Sequence, residues 1–190
     1  MHGPALVSWL LAALTAAAGT YCLSRLRDPS CEQPGAADRP GLFGHESNAA
    51  EALMGLGMAA MAVTGGLVPP ALWAWLFGLP AAGFLVAALA PGPPARRAHR
   101  LHHAIGALAM TYMALAMAGA AGAHAHHAAG GAGLPPLTGG LLLYFGAYTL
   151  WAGSRLLATP SGVLRSGTAG LPQACRLTMG IGMFAMLLTL

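Results

Sequence analysis

Glu51-Ala-Leu-Met54-Gly-Leu-Gly-Met58-Ala-Ala-Met61 and Arg176-Leu-Thr-Met179-Gly-Ile-Gly-Met183-Phe-Ala-Met186 each set a polar leader and three methionines at offsets 0, 3, 7 and 10. At about 100° per residue these offsets fall within an arc of about 80°, so each segment reads as a helix carrying one methionine stripe. A third copy starts at His103, has Gly106 in place of the first methionine, and continues through Met110 and Met113 to a further Met117.

Each copy lies inside a longer apolar stretch. A helix needs about 20 apolar residues to cross a hydrocarbon core of about 30 Å. Six stretches meet that length, at about 5–25, 48–68, 71–90, 101–121, 137–158 and 173–190. They are separated by the polar stretch from Arg27 to Ser47, Pro69-Pro70, Pro91-Gly92-Pro93-Pro94, a Gly/Ala/His stretch ending at Pro135-Pro136, and the segment from Pro160 to Pro172. The stripes occupy the even-numbered spans. The odd spans echo one another more weakly, since Ser24-Arg25-Leu26 and Ser154-Arg155-Leu156 both close one. The expected fold is all-α: a single transmembrane domain over residues 1–190, with six spanning helices in three tandem hairpins.

Composition agrees with that class. Of 190 residues, 56% are apolar and 7% charged, against about 25% charged in ordinary globular domains, and mean hydropathy is +0.63. So little polar surface excludes a soluble enzyme, a disordered tail and a nucleic-acid binder, despite a pI of about 9.4. All nine basic residues are arginines. Arg25, Arg27 and Arg39 follow span one, Arg96, Arg97 and Arg100 follow span three, and Arg155, Arg165 and Arg176 follow span five. With every arginine on one side, that side is expected to be cytoplasmic, which puts both termini, the Pro69 turn and the His-rich loop outside. The first span lacks a basic leader and is expected to be a retained helix rather than a cleaved signal. Cys22, Cys31 and Cys175 are odd in number and form no CxxC pair, so they indicate neither a disulfide framework nor a thiolate zinc site.

Even spans separated by two crossings run in the same direction, so three stripes starting at one depth could surround one axis. The run from leader to last shared methionine is about 15 Å, half the membrane core. Thioethers are soft ligands that select Cu(I), and imidazole suits several transition metals. A neutral ladder also avoids the cost of fixed charge in mid-membrane. Met54, Met58, Met61, Met110, Met113, Met117, Met179, Met183 and Met186 are therefore candidate ligands for a soft metal such as Cu(I). Glu51, His99 and His103 are candidates for the cytoplasmic mouth, His99 lying four residues before His103 on the Met110 face. Outside, His124, His126 and His127 form a candidate metal-collecting loop, with His2 at the N-terminus.

Each feature has a simpler reading. Methionine fills irregular gaps, and Gly/Ala helices with methionine knobs pack closely in membranes. Glu51 could pair with Arg176 or Arg100 and lock helix ends. His99, His102 and His103 could be solvated interfacial groups beside Arg96, Arg97 and Arg100. The rival to a metal path is thus a non-catalytic membrane scaffold or subunit. No enzyme is expected, since no Ser/His/Asp grouping or HExxH motif is present. The histidines lie at span ends, away from the mid-span positions a b-type haem uses. Nothing supplies ATP hydrolysis, so transport would be passive or partner-driven. The bilayer is the expected partner, with a membrane protein or a second copy beside it; copper is the one cofactor suggested.

The Glu51–Met61 segment, His99-Arg-Leu-His-His103 with Met110, Met113 and Met117, and Ala174-Cys-Arg-Leu-Thr-Met-Gly-Ile-Gly-Met183 together resemble an uncharacterised family of bacterial polytopic membrane proteins, classed as a domain of unknown function. Leu6-Val-Ser-Trp9 and Tyr21-Cys-Leu-Ser-Arg25 extend the resemblance over nearly the whole chain. It implies a multi-pass protein of the bacterial inner membrane with His/Met-patterned helices, and brings no established reaction. Span two of that family often begins with His where this chain has Glu51. Likeness to the Met-x-x-x-Met element of high-affinity copper transporters is limited to that spacing.

Overall fold

The computed structural model describes residues 3–27, 42–64, 67–123, 134–158 and 171–190. They form six helices and, among the described residues, no strand: α1 (Gly3–Arg27), α2 (Leu42–Thr64), α3 (Pro70–Leu89), α4 (Pro94–Ala123), α5 (Pro135–Ala158) and α6 (Leu171–Leu188). Among the described residues two helical stretches, Pro70–Leu89 and Pro94–Gly119, are long and apolar enough to cross a membrane.

The prolines that separate the spans also start helices. α3, α4 and α5 each begin on one, where the missing N–H is no loss and φ is already helical. For this reason α4 starts at Pro94, ahead of the expected residue 101, and carries Arg96, Arg97, His99 and Arg100 on its first two turns. α2 likewise starts earlier than expected, with His45 and Glu46 inside it, and ends at Thr64, ahead of Gly65-Gly66.

The chain divides into two compact units. The first comprises Met1–Val63 and Ala147–Gly182. Within it, α1 and α2 run antiparallel and touch backbone to backbone: a Cβ on Gly55 would lie 2.9 Å from the Thr15 carbonyl oxygen and 3.0 Å from Gly19 Cα. Only glycine at both positions permits that approach. α2 and the first part of α6 run parallel, since contacts advance together from Glu51–Arg176 to Met58–Gly182. The last turns of α5 pack antiparallel on α6 through Thr149 against Gly180 and Gly153 against Leu177.

The second unit comprises Thr64–Gly146 and Met183–Leu190. α3 and α4 form an antiparallel hairpin in which Ala87 pairs with Arg100, Phe84 with His103 and Gly78 with Thr111. Arg97 Nε donates to the Ala88 carbonyl at 3.0 Å and Arg100 Nη1 to the Ala87 carbonyl at 3.0 Å. The arginines thus satisfy acceptors that the last turn of α3 leaves open. On the other side of α4, the first part of α5 is antiparallel, fixed by Tyr112 Oη to Thr138 Oγ1 at 2.6 Å and His102 Nδ1 to Tyr144 Oη at 2.8 Å.

Burial reverses the usual pattern. Leu72, Trp75, Leu79, Val86, Leu143 and Leu150 are exposed, whereas Thr15, Ser47, Glu51 and His103 are buried with alanines and methionines.

Candidate functional site

Two polar clusters stand on buried helix faces, one in each unit. In the second unit, α4 places His99 and His103 one turn apart, and their Nε2 atoms face each other at 3.1 Å with the rings edge to face, centroids 4.4 Å apart. His103 is 3% exposed, with the Phe84 ring 5.4 Å away. Below it Met110 and Met113 are buried, while Met117 is half-buried. Met183 is buried and Met186 half-buried in the same unit. Two imidazole nitrogens at this spacing either share one proton in an N–H···N bond or offer two lone pairs to one cation. His102 is held apart on Tyr144, which leaves His99 and His103 as the facing pair.

In the first unit, Glu51 is 3% exposed and accepts hydrogen bonds from three elements. Arg176 Nε donates to Oε1 at 2.8 Å, Ser47 Oγ donates to Oε1 at 3.1 Å, and Cys22 Sγ donates to Oε2 at 3.5 Å. Arg176 Nη2 also donates to Ser47 Oγ at 3.4 Å. Burying a carboxyl group is costly unless its oxygens are hydrogen-bonded, as both are here. Glu51 therefore locks the ends of α1, α2 and α6 together, which is the packing role its sequence position offered. Met54, Met58, Met61 and Met179 are buried in this unit, with Met58 Sδ 3.5 Å from where a Gly182 Cβ would stand. The stripe of α6 is thus divided, Met179 belonging to the first unit and Met183 and Met186 to the second.

Sequence reasoning passed over Cys22 and Cys175. Both are buried free thiols, and Cys22 donates to Glu51. The signal was their position: Cys175 directly precedes the leader Arg176, and Cys22 lies three residues after Gly19, where α1 meets α2. Among the described residues no group of three or more His, Cys, Asp or Glu side chains converges to hold a metal ion. His2, His124, His126, His127 and Cys31 lie outside the described residues.

A family model described as a domain of unknown function (DUF5134) matches residues 43–190, the part of the chain that carries both clusters apart from Cys22. No curated protein and no solved structure matches the chain.

Proposed function

Since the chain belongs to the DUF5134 family, a domain of unknown function, we propose from its own residues that it is a six-helix protein of the bacterial inner membrane that binds, or passively moves, a soft metal ion such as Cu(I). The observation that carries this reading is the His99–His103 pair, with Nε2 atoms 3.1 Å apart, at the head of the buried Met110–Met113 face. Imidazoles at a mouth can capture a cation, and neutral thioethers pass it on without placing fixed charge in a medium of low dielectric. Met54, Met58, Met61 and Met179 repeat that chemistry on α2 and α6, while Glu51 braces the helix ends.

The membrane setting is supported by the outward leucines and tryptophans, a surface that water would not tolerate over this extent. It is also supported by arginine at the same end of successive helices. Arg155, stacked 5.1 Å from the Trp151 ring, is a typical interfacial anchor.

The second reading, a scaffold whose methionines only pack, is favoured by the fit of Met58 against Gly182. Titration of purified protein with Cu(I) under reducing conditions separates the two. The metal reading expects Cu(I) binding that weakens when Met54, Met58 and Met61 are all changed to Leu. Equal binding by wild type and that variant leaves the scaffold standing, because Leu preserves volume but offers no lone pair.

A further inference from the structure

We propose that the last two turns of α5 form a headgroup site for one anionic phospholipid, with Arg155 and Trp151 holding the phosphate and the acyl chains lying along the exposed face that precedes them. The proposal rests on the membrane setting argued above and is independent of the metal reading.

The site lies on one exposed helix face. Ala147, Leu150, Trp151, Ser154 and Arg155 are all exposed and follow the i, i+3, i+4, i+7, i+8 spacing of one side of a helix. Leu150 is 77% and Trp151 57% exposed, so an apolar wall leads up to the charge. One turn further on, the Arg155 guanidinium carbon stands 5.1 Å from the Trp151 ring centroid. Stacking on the ring orients the guanidinium, whose N–H donors lie in its own plane and form the fork that meets two oxygens of one phosphate. Ser154 turns its hydroxyl back to the Trp151 carbonyl at 2.8 Å, so arginine rather than serine supplies the donors.

Neighbouring helices add charge at the same depth. α5 packs antiparallel on α6 with Gly153 against Leu177, which sets Arg155 within one turn of the level of Arg176, a side chain 42% exposed. Cys22 and Arg176 both reach Glu51, so Arg25, one turn beyond Cys22, belongs to the same end. Among the described residues of this unit the arginines are Arg25, Arg27, Arg155 and Arg176 and the acids are Glu46 and Glu51, with Glu51 buried against Arg176. That balance is positive. Basic side chains at the cytoplasmic end of membrane helices, next to an apolar wall, match an anionic lipid in both of its parts. A zwitterionic headgroup offsets its phosphate with its own cation, and a free phosphate ion makes no use of the wall.

The test uses the full-length protein in micelles of a neutral detergent mixed with equal amounts of phosphatidylglycerol and phosphatidylcholine, and native mass spectrometry counts the lipid retained. The expected result is phosphatidylglycerol retained over phosphatidylcholine, with a preference that falls about fivefold in Arg155→Gln and is unchanged in Arg27→Gln. Equal losses in the two variants overturn the site, because diffuse charge then accounts for the preference. Equal retention of both lipids by wild type also overturns it while leaving the membrane setting intact; no lipid retained by any variant ends both. Displacement of phosphatidylglycerol by excess inorganic phosphate at constant ionic strength overturns the lipid as occupant. Tryptophan quenching by brominated acyl chains, on wild-type protein in vesicles, gives a check that does not depend on any variant folding. Brominated phosphatidylglycerol should quench more than brominated phosphatidylcholine at the same mole fraction, and equal quenching overturns the proposal.

Discussion

Arg176 Nε donates to Glu51 Oε1 across 2.8 Å, joining the polar leaders of two repeat copies 125 residues apart. The Arg176 side chain is 42% exposed and the Glu51 side chain 5%. One partner is in contact with solvent, so the pair contributes less than a fully buried one would. Glu51→Ala still leaves Ser47 and Cys22 without their acceptor and should lower stability by about 1–3 kcal/mol. Glu51→Met and Arg176→Met together should cost less than the sum of the two single changes, because each single change leaves the other charge without its partner. Thermal unfolding in micelles followed by helical circular dichroism measures both, and additive losses would remove the pair from the account.

The Gly19–Gly55 contact gives a steric prediction. Gly55→Val pushes a side chain into the Thr15 carbonyl and Gly19 Cα, so α1 must move away, at a cost of about 1–3 kcal/mol. Gly83 has no atom within 4 Å of where its Cβ would stand, and Gly83→Ala should be neutral or stabilising by up to about 1 kcal/mol. The same melts compare the two, and equal effects would refute the close approach.

His102 and His103 are neighbours in sequence with different partners. His103→Ala should weaken Cu(I) binding at least tenfold, about 1.4 kcal/mol, because one of two facing nitrogens is lost. Tyr144→Phe removes only the partner of His102 and should leave Cu(I) affinity within the error of competition against a chromogenic chelator. A larger effect from Tyr144→Phe than from His103→Ala would misplace the mouth.

Met58 separates ligand from filler at a single position. Met58→Leu keeps volume and should cost less than about 1.5 kcal/mol, whereas Met58→Ala opens a cavity at a residue 1% exposed and should cost about 2–5 kcal/mol. If Cu(I) affinity falls equally in both, the thioether is the cause; if it falls only with Ala, packing is.

Membrane orientation is checked by accessibility. In a cysteine-free background, a single cysteine at Arg96 should resist a membrane-impermeant maleimide added to intact cells, and one at Val68 should react. The reverse pattern would invert the topology proposed from the arginines.

Much of the helical plan was legible because it depends on local chemistry. The 3, 7, 10 spacing gives a stripe on any helix, and prolines mark boundaries whatever the fold. Boundaries shifted where a proline could start a helix as well as end one, as at Pro94. The facing of His99 and His103 was also legible, since i and i+4 meet on every helix. The partner of Glu51 was narrowed to Arg176 or Arg100, and the structure selects Arg176. The Cys22–Glu51 contact was not legible, because no local periodicity relates residues on α1 and α2.

The sequence by itself determined which segments are helical and which face of each carries its methionines, because both follow from 3.6 residues per turn and from apolar length. Only the tertiary structure decided which faces meet. That outcome depends on where backbones can approach, at Gly19 and Gly55, and on how one buried carboxylate, Glu51, finds enough donors. Satisfying it draws α1, α2 and α6 together.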